Sequence, residues 1–323
     1  MKFFKNIKNS FWVILANGAY SLSQFLLISL MTKFFNLEIL GIYSSATALI
    51  IPIITFIGLN SRAIQLTDVE NKYKLADFFI LKVIGSIITI IIVGGITLLK
   101  DNSYLLLITA ILLIRRISEF FSETAHSKLI KEGQFRTYAI SLIMSGTLSI
   151  FVFFLVAFLT NNFILSLISY SISWIAVFLF YDIKKVSLKE AFAGYQINWN
   201  TLSNLVVTSL PLAFVALVNT LYNNIPKYFV EYHIGIEALG VFSAITYVSL
   251  VGNLFIAAIT LTFSTKISLI NKKGQYNKIV KIIIIQEVLV IISCIFLYIV
   301  YFILLGKLYC QLYLVVILTN ILM

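Results

Sequence analysis

Charged residues are scarce in this sequence. Asp, Glu, Lys and Arg make up 11% of its 323 residues, against roughly 25% in an average soluble protein. The apolar share is 60%, and the mean hydropathy is +1.01. A water-soluble fold of this length could not bury so much apolar surface, and a disordered chain would be far more polar. The composition therefore predicts an all-α polytopic membrane protein.

Residues that build disulfides and metal sites are equally rare. The two cysteines, Cys294 and Cys310, lie in apolar segments, and the two histidines, His126 and His233, are far apart and are expected to be inert loop residues. Neither pair has the spacing of a disulfide framework or a metal site. No nucleophile or phosphate-binding loop stands out, and no loop is large enough for a catalytic domain. We therefore predict a protein that is not an enzyme and uses no cofactor or metal.

Long apolar runs replace these missing features. A helix needs about 20 apolar residues to cross the hydrocarbon core of a bilayer. The sequence predicts ten such spans, at 11–31, 39–60, 77–99, 104–123, 138–159, 163–181, 204–222, 239–264, 279–305 and 308–323.

The positive charges are distributed unevenly about these spans. All but four of the 24 Lys and Arg residues fall on one side, the exceptions being Lys33, Lys100, Lys227 and Lys307. Cytoplasmic loops carry the positive excess, so the amino terminus is predicted to be cytoplasmic. The net charge of +11 is then explained by topology and by contact with anionic membrane lipids, and we expect no nucleic-acid partner.

Two segments of the chain resemble each other. Glu38–Ser44 with Thr47, and Glu237–Ser243 with Thr246, lie 199 residues apart and share Glu, Leu, Gly, Ser and Thr at equivalent positions. Six spans separate the copies, so both have the same orientation. This predicts two parallel-repeat helical lobes around a central cleft. The alternative is that a Leu-Gly-x-aromatic motif merely packs a helix start closely.

The repeat also predicts domain boundaries. Residues 1–181 form a six-helix lobe, 182–203 a cytoplasmic linker, and 204–323 a second lobe with about four of an expected six spans. We expect a chain that is truncated by about two helices; a natural ten-span variant is the other interpretation.

The second copy carries a family resemblance. Asn223–Tyr228, followed by Glu237–Ser243, resembles the seventh-to-eighth-helix region of bacterial polysaccharide flippases, which belong to the multidrug/oligosaccharidyl-lipid/polysaccharide exporter superfamily. Many members have an acidic-basic pair where this chain has Pro226-Lys227. The resemblance implies movement of an undecaprenyl-diphosphate-linked oligosaccharide repeat unit across the bacterial cytoplasmic membrane, for O-antigen, capsule or exopolysaccharide. It also implies a polysaccharide polymerase and glycosyltransferases as partners.

Intramembrane cations are the first site candidates for such a substrate. Arg115 and Arg116 lie near the predicted cytoplasmic end of the fourth span, and arginine binds diphosphate oxygens bidentately. Glu119 could instead neutralise both within the bundle. Arg62 is a weaker candidate, because topology alone explains it.

Amide stripes and one carboxyl complete the candidate site. The stripes, each on one helical face, are Asn17, Ser21 and Gln24, and Asn219, Asn223 and Lys227. They suit sugar hydroxyls or interhelical hydrogen bonds. Glu287, inside an apolar span, is a candidate for ion coupling. A cation-coupled multidrug exporter of the same superfamily is the main alternative, with a membrane polysaccharide polymerase and a structural scaffold behind it.

Overall fold

The structure is a computed structural model. It describes residues 2–247 apart from 69 and 101, together with 280, 283–288, 291, 292 and 295, and it describes side chains from residue 11 onward. The chain divides into two compact units, Met1–Tyr247 and Val248–Met323. The described residues of the second unit are helical.

The first unit is built from helices. They are α1 (Lys2–Phe34), α2 (Leu37–Ile57), α3 (Ser61–Thr67), α4 (Leu75–Leu99), α5 (Ser103–Lys131), α6 (Phe135–Thr160), α7 (Phe163–Val177), α8 (Ile183–Lys185), α9 (Leu188–Phe192), α10 (Trp199–His233) and α11 (Ile236–Tyr247). A π-helical turn, Phe178–Asp182, joins α7 to α8. Among the described residues, six helices are long and apolar enough to cross a membrane: α1, α2, α4, α6, the continuous α7–α8 segment and α10.

Asparagine side chains begin four of these helices. Asn36, Asn102, Asn162 and Asn198 precede α2, α5, α7 and α10, and each accepts a hydrogen bond from a backbone N–H of the first turn. Such a cap contributes about 1 kcal/mol to a helix. Since the turns at Asn102 and Asn162 are short, α4 and α5 lie antiparallel, as do α6 and α7.

The bundle packs around α5. This helix contacts α2, α4 and α7, while α1 packs along α6 and α6 along α7. Many buried serines and threonines line these contacts, and hydroxyls such as those of Ser86, Thr89 and Ser171 donate to carbonyls one turn earlier in their own helices. Small residues satisfied in this way let helices approach closely inside a membrane.

All seven spans predicted within residues 11–222 are helical, and six of them lie in helices long and apolar enough to cross a membrane; the exception is the fourth, which lies in α5. Their lengths differ from the prediction. The fourth span ends eight residues late, since α5 continues to Lys131, and the seventh covers only part of α10. Hydropathy marks where a helix leaves the apolar layer, whereas both helices continue beyond it with more polar residues. The eighth span starts as α11, and most of it and of the last two spans lies outside the described residues. The predicted linker 182–203 contains α8 and α9, and its role as a boundary stays a prediction.

The repeated segments meet where α2 crosses α11. A Cβ added to Gly41 would lie 1.9 Å from the carbonyl oxygen of Ile236, and one added to Gly240 would lie 2.0 Å from that of Leu37. Leu37 and Ile236 are themselves 199 residues apart. The contact is therefore reciprocal, as a local two-fold relation requires. This agrees with the predicted parallel repeat at its most similar segment.

Candidate functional site

A cavity of about 280 Å³ opens within the first unit. Helices α1, α2, α3, α5, α6 and α7 and the α2–α3 turn surround it. Its polar lining is Asn17, Thr55, Asn60, Arg62, Arg116, Glu119, Ser122, Glu123 and His126, and its aromatic lining is Tyr20, Phe120, Tyr138 and Trp174. Three predicted site residues, Asn17, Arg62 and Arg116, are thus brought together from three different helices.

Arg116 reaches the cavity from α5 and is held by a carboxylate one turn away. Its Nη1 lies 2.8 Å from Glu119 Oε2. The other oxygen, Oε1, accepts a hydrogen bond of 2.6 Å from the Tyr20 hydroxyl on α1. The pair therefore fixes α5 to α1 while leaving 17% of the Arg116 side chain exposed.

Arg115 does not line the cavity. Its side chain is completely buried, and its guanidinium lies 4.8 Å from the ring centroid of Trp174 and 5.0 Å from that of Tyr170. Its Nη1 is 3.4 Å from Glu119 Oε2. Its three nitrogens have no hydrogen-bond partner in the part of the chain that the structure describes. Arg115 thus supports the cavity wall.

Two further cations lie beside α5. Lys82 of α4 is buried, with its Nζ 2.9 Å from Glu123 Oε2 and 3.5 Å from the centroid of the Phe120 ring. Arg62 of α3 is half-buried, lines the cavity and has no ion-pair partner among residues 11–247 as described. Four cations, the two on α5 included, therefore lie around the cavity with three carboxylates, Glu119, Glu123 and Asp182, which leaves an excess of one positive charge.

The loop assignment of His126 is wrong. His126 lies in α5 with 5% exposure and lines the cavity, with its Nε2 2.9 Å from Ser141 Oγ and 3.5 Å from Asp182 Oδ2. The π-helical turn brings Asp182 to this position. The spacing of Glu119, Glu123 and His126, at i, i+4 and i+7, places them on one helical face and could have revealed the site.

The first amide stripe makes interhelical hydrogen bonds. Asn17 accepts a 3.4 Å hydrogen bond from Tyr138, and Gln24 donates one of 3.3 Å to Tyr170. Ser21 does not line the cavity. The structure thus favours the packing alternative for Gln24, while Asn17 serves both packing and the cavity lining.

The second stripe lies elsewhere, on α10. Asn219 and Asn223 are exposed and Lys227 is half-buried. Asn223 donates to the Asn219 carbonyl at 2.8 Å, and Lys227 donates to Asn224 Oδ1 at 3.3 Å. None of the three lines the cavity. Glu287 belongs to the second unit, in the helical residues 283–288. The roles of these residues stay predictions.

Proteins of known structure have a similar fold. Solved structures align with 90% of the chain: a MATE transporter in complex with Br-NRF (14% identity, TM-score 0.50, 74% of that chain) and an outward-facing multidrug resistance MATE transporter of the MOP superfamily (13%, 0.52, 70%). The chain has the MATE fold. This confirms the predicted all-α lobed architecture.

A curated relative is named for polysaccharide synthesis. The Staphylococcus aureus capsular polysaccharide biosynthesis protein CapF is 26% identical over 281 residues, which are 85% of this chain and 70% of CapF. No protein-family model matches the chain. The MATE fold is thus combined with a sequence relationship to a capsule protein.

Proposed function

We propose that this protein is a transporter of the MOP superfamily that flips an undecaprenyl-diphosphate-linked oligosaccharide repeat unit across the bacterial cytoplasmic membrane by alternating access of its two lobes. The product would enter surface polysaccharide synthesis, with a polymerase and glycosyltransferases as partners. The name of the relative CapF supports this substrate class, and the MATE fold supports transport.

The cationic cavity carries the proposal. Arg62 lines it without an ion-pair partner in the described part of the chain, and Arg116 is partly exposed to it. The local excess of positive charge favours an anion such as a diphosphate diester, which carries two negative charges. The cavity lies at the end of the bundle that the charge distribution predicts to be cytoplasmic, where a lipid-linked substrate is made.

The remaining lining suits a sugar. Asn17 and Asn60 offer amide donors and acceptors, and Tyr20, Tyr138 and Trp174 offer aromatic faces beside the two arginines. A multidrug exporter is the second candidate, because solved structures of the same fold include one and because the cavity contains Glu119 and Glu123. Both carboxylates are already paired with cations of this chain, which makes them weaker sites for a cationic drug.

Charge removal from the cavity tests the proposal. Arg62→Gln and Arg116→Gln are produced in a bacterial strain that lacks its own repeat-unit flippase, and surface polysaccharide is measured at matched protein level. Loss of a charge-assisted contact costs about 1.5–3 kcal/mol, or roughly 10- to 150-fold in affinity. Polymer output should therefore fall sharply in each variant.

Arg136→Gln is the matched control. Arg136 is exposed at the start of α6, on the same predicted side of the membrane, and does not line the cavity, so output should stay at the wild-type level. Wild-type output in the Arg62→Gln/Arg116→Gln double variant would contradict the proposal. Ethidium efflux that needs Glu119 or Glu123 would favour the exporter instead.

A further inference from the structure

One carboxylate oxygen serves two arginines that differ in access. Glu119 Oε2 lies 2.8 Å from Arg116 Nη1 and 3.4 Å from Arg115 Nη1. Arg116 faces the cavity with 17% exposure, whereas Arg115 is fully buried behind it. A diphosphate that enters the cavity can therefore reach Arg116 but not Arg115.

Binding of that diphosphate creates a problem for Glu119. Arg116 Nε is buried and Nη1 is engaged by Glu119, so a phosphate that binds the Nη1–Nη2 edge of the guanidinium competes with the carboxylate for Nη1. If Arg116 turned away, Glu119 would keep the Tyr20 hydroxyl and the longer, 3.4 Å approach of Arg115. A half-buried carboxylate whose nearest cation moves away is destabilised, so Glu119 opposes the anion unless another cation moves closer to it.

Arg115 is placed to solve this problem. Its nitrogens have no other hydrogen-bond partner among the described residues, so they are available to the carboxylate. The rings of Tyr170 and Trp174 hold the guanidinium in place. The Arg115–Glu119 separation has only to shorten from 3.4 Å to the 2.8 Å that Arg116 now has.

We propose that Arg115 is a positioning residue that takes over Glu119 when Arg116 turns to a diphosphate. This rests on the proposed function of the cavity, and it assigns Arg115 a role without substrate contact. The exchange keeps Glu119 paired throughout, so that Arg116 is released without leaving a buried charge alone. Arg115 therefore strengthens anion binding through Glu119.

Removal of Glu119 separates this role from direct contact. The full chain in nanodiscs is titrated with farnesyl diphosphate, a short polyprenyl diphosphate, and Kd is measured calorimetrically. Arg116→Gln and Arg115→Gln should each weaken binding about tenfold or more. Glu119→Gln should bind at least as tightly as the wild type, because no carboxylate competes for Arg116.

The decisive comparison is Arg115→Gln/Glu119→Gln with Glu119→Gln alone. The proposal predicts that these two variants bind farnesyl diphosphate with affinities equal within about threefold, since Arg115 has no carboxylate to pair with once Glu119 is replaced. An affinity in the double variant as low as in Arg115→Gln would show that Arg115 contacts the diphosphate. The double variant removes both charges of the pair and leaves neither unpaired, so its affinity can be measured even if Arg115→Gln alone fails to fold.

Two outcomes separate this proposal from the proposed function. Wild-type affinity in a folded Arg115→Gln variant, together with weak binding in Arg116→Gln, would overturn the positioning role and leave the diphosphate site standing. If neither the wild type nor Arg62→Gln bound farnesyl diphosphate, the proposed diphosphate site would be overturned, and the positioning role of Arg115 with it. Arg115→Lys keeps the charge but not the fork, so the proposal predicts partial rescue.

Discussion

Alanine at the α2–α11 crossing should loosen the first unit. Gly41 and Gly240 each face the backbone of the other helix, and an added Cβ would meet a carbonyl oxygen at 1.9 Å or 2.0 Å. A flexible side chain could rotate away from such a methyl group, but a helical carbonyl cannot. Gly41→Ala or Gly240→Ala must therefore push α2 and α11 apart along their shared contact.

The expected cost follows from overpacking. Extra methyl groups in a well-packed interior cost typically about 1–3 kcal/mol, and 1 kcal/mol lowers Tm by about 2–4 °C in a domain of 150–250 residues. We expect Tm to fall by roughly 2–10 °C in each variant. Gly95→Ala is the matched control, because Gly95 is exposed in α4 with no atom within 4 Å of an added Cβ. It should keep or raise Tm, since alanine favours a helix by about 0.5–1 kcal/mol.

The double variant tests the reciprocity of the contact. Both methyl groups force the same separation of α2 from α11, so the second substitution should cost less than the first. Thermal unfolding of the purified chain, followed by size-exclusion chromatography after heating, compares the four variants with the wild type. Wild-type Tm in either single variant, or a fully additive fall in the double variant, would refute the crossing and the repeat argument that depends on it.

Two further predictions concern the opposite ends of the bundle. Lys100 Nζ and Ser45 Oγ both lie 2.8 Å from Glu231 Oε1, so Glu231→Gln should lower Tm slightly. Because Lys100 and Glu231 are partly exposed, the loss of stability should stay below about 1 kcal/mol and disappear in 1 M salt. An unchanged Tm at low salt would show that the ion pair adds nothing to stability. Gln134 and Asn161 flank α6 and are exposed. In a Cys294→Ser/Cys310→Ser background, an impermeant thiol reagent added to intact cells should label Asn161→Cys and not Gln134→Cys. The reverse labelling pattern would overturn the predicted orientation.

Much of the fold could be predicted because a bilayer imposes simple rules. Every backbone polar group must be paired within the membrane, so an apolar run of sufficient length becomes a helix. Four helix starts are also determined by local sequence. The side chains of Asn36, Asn102, Asn162 and Asn198 each accept a hydrogen bond from the first turn that follows them. Gly41 and Gly240 could be identified from the sequence as equivalent positions, because the segments around them repeat.

The rotation of each helix could not be predicted in the same way. Arg115 and Arg116 are neighbours in sequence, yet a step of about 100° around the helix places one behind the cavity wall and the other in the cavity. Which one faces the cavity depends on how α5 is packed by α2, α4 and α7. His126 was missed for a related reason, because a hydropathy boundary at residue 123 cannot show that α5 continues to Lys131.

The composition of α5 gives the strongest reason to connect the cavity with an anion. This helix packs against α2, α4 and α7, yet it is not among the six helices apolar enough to qualify as spans. Charges within a membrane bundle are costly and are retained where they pair or act on a substrate. Pairing alone would require as many carboxylates as cations, whereas Glu119, Glu123 and Asp182 lie among Arg62, Lys82, Arg115 and Arg116. A network that only held helices together would not need that excess of one cation, but a site that receives an anion would.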